Sequence, residues 1–330
     1  MKVGVLQFFS WPGRHGPLQE VYARALERIE VMDKTGFDAV WLAEHHFTTF
    51  SVCPSVHMLG VHAAARTKRL RIGTAVSLAA LYHPLRLAEE VALLDVLSGG
   101  RVNWGAGRGF AHSEFEAFGV PVEESAERFR EAVEIVLAAW TQERMSFKGK
   151  HFAFDNIEVM PKPLQQPHPP TWMAATSESA IDWAASRGFS ILMDPHASFR
   201  ELAAKRTRYR EQMAKAGFSD AGRDIPMARL MAVAPTMAKA EEIARRGAQW
   251  IVDSYSGPQH AHRKAMPPRT YDGKEPAQHY VDSVVVHGTP DAVIEKIARL
   301  KEEVGLNYLM CAPLSRETFT LLAEQVVPRL

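Results

Sequence analysis

The sequence predicts an α/β fold in which eight parallel strands, each followed by a helix, close into one (β/α)₈ TIM barrel with insertions. Short apolar runs rich in β-branched residues alternate with amphipathic helical stretches, and the chain holds eight such units. Alternation of this kind is typical of parallel sheets. Eight units favour a closed barrel over the alternative, an open doubly wound sheet. A length of 330 residues suits a single barrel domain.

Each predicted strand is a short apolar run bounded by turn residues. The strands are residues 3–8, 39–43, 70–78, 101–107, 171–175, 190–193, 226–234 and 308–312. The predicted helices have apolar residues at helical spacing. They cover residues 18–35, 55–66, 84–97, 125–140, 177–187, 198–216, 238–254, 289–304 and 316–327. Pro84 opens the third of these helices, at a position where proline is tolerated.

Two segments do not fit a minimal barrel. Residues 145–170 contain a hairpin-like stretch at 147–152 and then become rich in proline. Residues 257–280 are polar, rich in proline, histidine and lysine, and lack apolar periodicity. A long unpatterned segment in a compact domain is usually a functional lid or disordered. We therefore predict one domain, residues 1–330, with insertions at about 145–170 and 257–280, the second acting as a mobile lid.

Composition and charge exclude several classes of protein. The chain has 39 basic and 38 acidic residues, so its net charge of +1 gives no attraction to nucleic acid or a membrane surface. No apolar run approaches the roughly 18 residues that span a bilayer, and the first residues indicate a strand rather than a signal peptide. Cys53 and Cys311 have neither metal-ligand nor disulfide spacing, which favours a reduced, cytoplasmic compartment and no metal.

Candidate functional residues follow the predicted strands, because the active site of such a barrel lies where strands end. His45 and His46, beside Glu44, follow the second strand, where a histidine acts as acid or base or orients a ring. The alternative is a pair of hydrogen-bonded loop histidines. Residues 73–76 follow the third strand, where small residues let a flat ligand approach the backbone, unless they serve tight packing alone.

The fourth and fifth strands are followed by residues suited to an anion. Residues 105–109 resemble a dinucleotide-binding turn, but Phe110 stands where the last glycine would be. Glycines beside Arg108 still suit a phosphate, the alternative being a turn with a surface arginine. Thr176 or Ser177 caps the next helix, whose start attracts an anion, although capping alone also explains them. Together the four positions match FMN, with its planar ring and terminal phosphate.

The ordered set of motifs resembles the bacterial luciferase-like flavin-dependent monooxygenases, and the resemblance covers essentially the whole chain. The matching stretches are residues 39–48, 71–76, 83–84, 94–95, 98–101, 107–109, 183–185, 250–255 and 286–290.

The resemblance implies an enzyme that uses reduced FMN and dioxygen to oxygenate a small organic substrate through a flavin C4a-peroxide. His45 matches the catalytic histidine beside the flavin. Ala75 and Val76 fall where the family has a cis peptide against the flavin ring. Arg108 and Ser177 match phosphate-binding residues. The residues assigned to the cofactor are then Ala75, Val76, Arg108, Thr176, Ser177 and Glu178.

A dry pocket and a reductase complete the expectation. Aromatic side chains are expected to keep water from the pocket, the alternative being core packing. They are Phe8, Phe47, Phe110 and Trp250. No NADH site is evident, so a separate NAD(P)H:flavin reductase is expected to supply reduced FMN. The resemblance also implies a homodimer formed through helices after the second and third strands.

Departures from the family pattern narrow the activity. Gly107 replaces the reactive cysteine of true luciferase, Thr176 its glutamate, and Ala180 its phosphate-contacting threonine, which argues against light emission from an aldehyde. Three alternatives remain: an F420-dependent hydride-transfer oxidoreductase on the same fold, a metal-dependent barrel hydrolase, and a non-catalytic flavin-binding protein. No HExxH motif supports the hydrolase, and the sequence does not reveal the substrate.

Overall fold

A computed structural model describes residues 1–256, 271 and 273–330. These residues form two compact units. Unit 1 consists of Met1–Leu6, Lys34–Ala39 and Met173–Leu330, and unit 2 of Gln7–Asp33 and Val40–Trp172. No helix in this part of the chain is long and apolar enough to cross a membrane.

The strands and helices alternate along the chain as the sequence predicts. The strands are β1 (Lys2–Gln7), β2 (Ala39–Leu42), β3 (Arg71–Thr74), β4 (Ser77–Leu78), β5 (Val102–Gly107), β6 (Met145–Lys148), β7 (Ala153–Ile157), β8 (Thr171–Ala174), β9 (Ser190–Leu192), β10 (Pro226–Val233), β11 (Val286–Gly288) and β12 (Tyr308–Pro313). The helices are α1 (Leu18–Lys34), α2 (Val56–Arg66), α3 (Pro84–Leu97), α4 (His112–Ala117), α5 (Ser125–Thr141), α6 (Glu178–Ser186), α7 (Phe199–Lys215), α8 (Met237–Ser256), α9 (Pro276–Ser283), α10 (Pro290–Val304) and α11 (Arg316–Leu321).

Unit 1 is built on parallel strands. β12 pairs in parallel with β1 on one side and with β10 on the other, and β10 also pairs in parallel with β11. Every residue of β10 is buried, as expected for a parallel strand covered on both faces. The side chain of Thr289 caps α10, and Gly305, in the left-handed conformation with φ of 72°, ends it.

Unit 2 also contains parallel strands. β5 pairs in parallel with both β3 and β4, so the predicted strand 70–78 is two strands separated by Ala75 and Val76. The hairpin predicted between residues 145 and 170 is present, since β6 and β7 pair in antiparallel register. β5 is buried along its whole length, and the candidate phosphate-binding residue Arg108 follows it directly.

Three elements differ from the sequence prediction. The short strand β11 and the short helix α4 have too few residues to show a periodicity, and neither was predicted. Residues 257–270 and 272 of the predicted lid lie outside the described residues. The insertion predicted up to residue 280 overlaps α9, an unpredicted helix that begins at Pro276 and buries His279, Tyr280 and Val281.

Candidate functional site

A buried carboxylate lies directly beside the two histidines that follow β2. The Glu44 side chain belongs to a residue only 2% exposed, and its Oε1 lies 3.1 Å from His46 Nε2. The Tyr82 hydroxyl donates to the other oxygen, Oε2, at 3.2 Å. Burial first, and then the charge of Glu44, raise the pKa of Tyr82 well above its ordinary value. The phenol therefore stays protonated and acts as a hydrogen-bond donor. Glu44 therefore holds one ring nitrogen of His46.

A second buried carboxylate, from α4, faces the same loop. Glu114 is 2% exposed and accepts the backbone N–H of His46 at 2.9 Å. Its Oε1 lies 3.7 Å from Nδ1 of His45, close enough for an ion pair whenever that ring is protonated. The ring of each histidine thus has one buried acid beside it, and Nδ1 is the His45 nitrogen that faces Glu114. Such an arrangement suits a group that takes up and releases a proton.

Aromatic rings surround His45. Phe8 stacks with it at a centroid distance of 6.4 Å and an interplanar angle of 20°. Phe50 and Phe110 meet it edge-on at 5.3 and 5.9 Å. The structure therefore brings two of the predicted pocket residues, Phe8 and Phe110, to the predicted catalytic histidine. Phe50, which the sequence prediction did not include, is a third.

Phe47 belongs to the same loop but faces outward. Its side chain is 64% exposed, and its φ of 55° lies in the left-handed region that bulky residues rarely adopt. The ring lies 5.8 Å from that of His46 and 5.5 Å from that of Phe118. Phe47 is thus not a core residue, which excludes the core-packing alternative for this aromatic.

The dipeptide between β3 and β4 is accessible, although its neighbours are buried. The peptide bond between Ala75 and Val76 is cis, as the resemblance implies. Both residues are half-buried, whereas Thr74 and Ser77 on either side are fully buried. The Thr74 hydroxyl donates to Gly105 O at 2.7 Å and accepts from Gly105 N at 2.9 Å. The ends of the dipeptide are therefore tied to β5, and its middle is open to a ligand.

Gly73, in contrast, serves packing. A Cβ atom added there would lie 2.4 Å from Cε3 of Trp41, and the Trp41 side chain is completely buried. For this glycine the packing alternative is correct, because the indole of β2 occupies the space that a side chain would need.

Arg108 follows β5 directly and is exposed. Within the described residues, its guanidinium has one hydrogen bond, in which NH1 donates to Ser125 Oγ at 3.3 Å, and no carboxylate lies within ion-pair distance. Partial burial lowers the pKa of the guanidinium without removing its charge. An arginine that pairs with no acid keeps most of its donors for an external anion.

Ser177 caps α6, as its sequence context predicts. Its Oγ accepts the backbone N–H of Ala180 at 3.3 Å and lies 3.2 Å from the Ser179 hydroxyl. Thr176 is exposed, and Glu178 is ion-paired with Arg208 at 2.9 Å. The first N–H groups of a helix have no partner within it, so this end is able to bind an anion.

The predicted residues divide between the two units. Thr176, Ser177 and Glu178 belong to unit 1, as does Trp250, which is half-buried on α8. The other predicted residues belong to unit 2, and these are Phe8, His45, Phe47, Ala75, Val76, Arg108 and Phe110.

Sequence reasoning missed the acids and hydroxyls that hold these groups. Glu114 is 68 residues from His46, and Tyr82 is 38 residues from Glu44. No local spacing joins them, and only the position of Tyr82 next to the matched His83 pointed towards the site. Within the described residues, no three histidine, cysteine or acidic side chains are arranged to hold a metal ion.

The residues of unit 2 fit a flavin. An accessible backbone segment suits a planar ring, a guanidinium without an acid suits a terminal phosphate, and a histidine beside a buried acid suits proton transfer.

Comparison with known proteins identifies the family. Residues 1–308 match the model of the luciferase-like monooxygenases. An uncharacterized protein of Sinorhizobium fredii is 32% identical over 313 residues, which is 92% of this chain and 90% of that protein. The oxygenase component of the flavin-dependent trigonelline monooxygenase of Acinetobacter baylyi is 30% identical over 179 residues, covering 54% of this chain and 49% of that protein.

Solved structures match the full length. The monooxygenase RslO1 of Streptomyces bottropensis has a TM-score of 0.83 at 26% identity, with 99% of both chains covered. The oxygenating constituent of a Pseudomonas putida 3,6-diketocamphane monooxygenase, solved with FMN, has a TM-score of 0.81 at 19% identity, covering 100% of this chain and 98% of that one. An F420-dependent secondary alcohol dehydrogenase has a TM-score of 0.78 at 21% identity, covering 100% of this chain and 98% of that one.

These likenesses confirm the predicted α/β barrel class. The match of the family model to residues 1–308, the relatives and the solved structures agree, and the chain belongs to the luciferase-like monooxygenases, a family of flavin-dependent enzymes.

Proposed function

We propose that this chain is the oxygenase component of a two-component system, which binds reduced FMN and uses dioxygen to oxygenate a small organic substrate. The observation that carries the proposal is the arrangement around β5. This strand ends at Gly107, directly before Arg108, and it pairs with both β3 and β4, between which the accessible Ala75–Val76 dipeptide lies. A site for a phosphate and a site for a planar ring therefore share one strand.

The cofactor is held by residues with separate tasks. Ala75 and Val76 would hold the ring, and Arg108 would hold the phosphate. For Thr176, Ser177 and Glu178 at the start of α6, in unit 1, phosphate binding is implied by the resemblance alone, and the Ser177→Ala variant tests it. Reduced FMN, when bound, supplies the electrons that activate dioxygen; the protein orients the cofactor and shields it.

His45 holds or moves a proton at Nε2. Its Nδ1 faces Glu114, so Nε2 is the atom left to exchange a proton with the substrate. Glu114 also binds the backbone of His46, which fixes the loop on which both histidines lie. A positioned histidine of this kind contributes about 10²- to 10⁴-fold to a rate.

Water is excluded by aromatic side chains. Phe8 and Phe110 contact the His45 ring, and Phe47 stands exposed on the same loop. We assign these three to the substrate pocket. Their apolar surface favours an organic substrate with little charge. For Trp250, which belongs to unit 1, the same assignment stays a prediction.

A reductase partner follows from the need for reduced FMN. The A. baylyi relative is named as an oxygenase component, which supports the proposal that a separate protein reduces the flavin here.

We also propose a homodimer that buries the outer face of α3, where Leu93, Val96 and Leu97 are exposed. Light scattering on the purified chain tests the dimer, and a mass corresponding to one chain would exclude it.

Anaerobic mixing tests the function. The chain is mixed with reduced FMN, then with oxygenated buffer, while flavin absorbance and oxygen consumption are followed over a panel of ketones, aldehydes and terpenes. We expect substrate-dependent oxygen consumption and one oxygenated product. Substrate oxidation that needs F420 and no oxygen would replace the proposal by a hydride-transfer dehydrogenase. Flavin binding with no product from any member of the panel would favour a non-catalytic flavin-binding protein.

A further inference from the structure

A second polar cluster in unit 2 lies outside the residues that have been given a role. His57 on α2 is only 3% exposed, and both of its ring nitrogens have a partner. Nδ1 lies 3.0 Å from Glu90 Oε2 on α3, and Nε2 lies 2.9 Å from Ser77 Oγ on β4. The three residues form one continuous hydrogen-bonded chain.

The charge of Glu90 sets the direction of the hydrogen bond between His57 and Glu90. The hydrogen bond from His57, together with that from Arg86, lowers the pKa of Glu90 to about 2, although burial opposes it. Glu90 is therefore ionised near neutral pH and only accepts. Nδ1 of His57 must then carry a proton and donate to Glu90, and Nε2 shares a hydrogen bond with the Ser77 hydroxyl.

A serine, a histidine and an acid in this order also occur in nucleophilic catalysis. Here, however, the exposure of Ser77 is 0%, so its hydroxyl reaches neither a substrate nor a cofactor. Any effect of the cluster on a bound ligand must therefore pass through the backbone next to Ser77, whose position the cluster fixes.

That backbone is the accessible dipeptide. Ser77 follows Val76 directly and lies opposite Ala106 in the register of β4 with β5. On the other side, Thr74 is tied to Gly105 by two hydrogen bonds. The Ala75–Val76 segment is thus held at one end by Thr74 and at the other by Ser77, which α2 and α3 hold through His57 and Glu90.

Apolar packing alone does not explain a polar chain at this place. Burying an imidazole and a hydroxyl costs free energy unless both are hydrogen-bonded. Apolar contacts are not directional, whereas a fully satisfied polar network fixes one geometry. The cluster therefore determines where Ser77 stands.

We propose that His57 is a positioning residue, which through Ser77 and with Glu90 holds the Ala75–Val76 segment in the shape that binds the flavin ring. This inference rests on the proposed function, because it assigns the cluster to the ring rather than to the phosphate of the same cofactor.

Flavin titration tests the assignment. Ser77→Ala removes the hydrogen bond to His57, and His57→Gln removes the imidazole that joins Ser77 to Glu90. Binding of FMN and of riboflavin is followed by fluorescence quenching. We expect each variant to lose about tenfold in affinity, by the same factor for both flavins, because the ring is common to them. Glu90→Gln, which keeps an acceptor for His57, is expected to lose less. Glu89→Gln, the exposed neighbour on α3, is the matched control and should bind as the wild type does.

Hydrogen exchange supplies a readout that does not need the flavin. Amide exchange of residues 75–77 is measured on the chain alone, and Ser77→Ala should speed it. Unchanged flavin affinity in a folded Ser77→Ala variant would overturn the proposal, as would a loss confined to FMN. If the wild-type chain binds no flavin, the proposed function fails. The positioning role then stands on faster exchange in Ser77→Ala and is overturned by unchanged exchange.

Discussion

At the scale of single residues, the chemistry of this chain depends on which acid faces which histidine. His45 and His46 are adjacent in sequence, yet Glu114 approaches the ring of one and Glu44 that of the other. The two rings therefore have different tasks. His46 is bound by Glu44 and, through its backbone, by Glu114, whereas the proposed function gives Nε2 of His45 to proton exchange with the substrate.

Replacing His45 by Ala should slow turnover by about 10²- to 10⁴-fold while FMN still binds. The reason is that the imidazole moves a proton but does not hold the phosphate. Single-turnover kinetics and an FMN titration on the same variant measure the two effects. Unchanged turnover would remove His45 from the mechanism.

Replacing Arg108 by Ala should weaken FMN binding by more than it weakens riboflavin binding. Only FMN carries the phosphate, and hydrogen bonds to a charged group contribute about 1.5–3 kcal/mol. Isothermal titration with both flavins measures the difference. Arg144→Ala, on an exposed arginine paired with Glu158, is the control and should change neither affinity. Equal losses for FMN and riboflavin in Arg108→Ala would refute the phosphate assignment.

Glu90 should make stability depend on pH in acid. The hydrogen bond from His57 lowers its pKa from 4.5 to about 2 in the folded chain. A depressed pKa means that the ionised side chain stabilises the fold above about pH 4.5, and that this contribution is lost as the pH falls towards 2. Urea unfolding measures the free energy of unfolding at pH 5 and at pH 3. Between these two pH values it should fall less in Glu90→Gln than in the wild type. The same loss in both would show that Glu90 does not contribute.

At the scale of elements, the proposed ring site depends on the break between β3 and β4. The sequence predicts one strand over residues 70–78, because the apolar run is continuous. Two residues leave the strand, however, and are the only accessible ones between Ile72 and Ala80. Periodicity alone does not reveal such a break, because Ala75 and Val76 are themselves apolar; the family resemblance supplied it.

The start of α6 tests whether capping and phosphate binding coincide. Ser177→Ala should cost about 0.5–2 kcal/mol of stability through loss of the cap and should in addition weaken FMN binding. Ser198→Ala is the matched control, since Ser198 caps α7 of the same unit through a capping box and lies at none of the predicted phosphate positions. Thermal unfolding and FMN titration on both variants separate the effects. If the two variants lose only stability, Ser177 is a cap and nothing more.

At the scale of the whole molecule, each compact unit is built from stretches of chain that are separate in the sequence. Met1–Leu6 and Lys34–Ala39 belong to the same unit as the C-terminal half, because β1 pairs with β12. A ligand that binds the folded chain and not the unfolded chain raises the free energy of unfolding.

FMN should therefore stabilise the chain against unfolding. A ligand at 100 times its dissociation constant adds about 2.7 kcal/mol to the free energy of unfolding. Thermal unfolding with oxidised FMN, riboflavin and F420 should show the largest increase in midpoint with FMN. A larger increase with F420 would contradict the choice of cofactor.

Apart from β11, α4, α9 and the break between β3 and β4, the sequence by itself determined the order of the strands and helices. It also determined the hairpin insertion, the cap of α6 and the position of the exposed arginine. These features depend on local patterns, since periodicity, capping residues and turn residues act over a few positions. Tertiary structure decided that Glu114 serves His45 and His46, that Gly73 makes room for Trp41, and that Ser77, His57 and Glu90 form one chain. Those partners lie 20 to 69 positions apart, as with His57 and Ser77 at 20 and His57 and Glu90 at 33. Which polar groups become buried neighbours depends on how distant elements pack, and no local pattern records that.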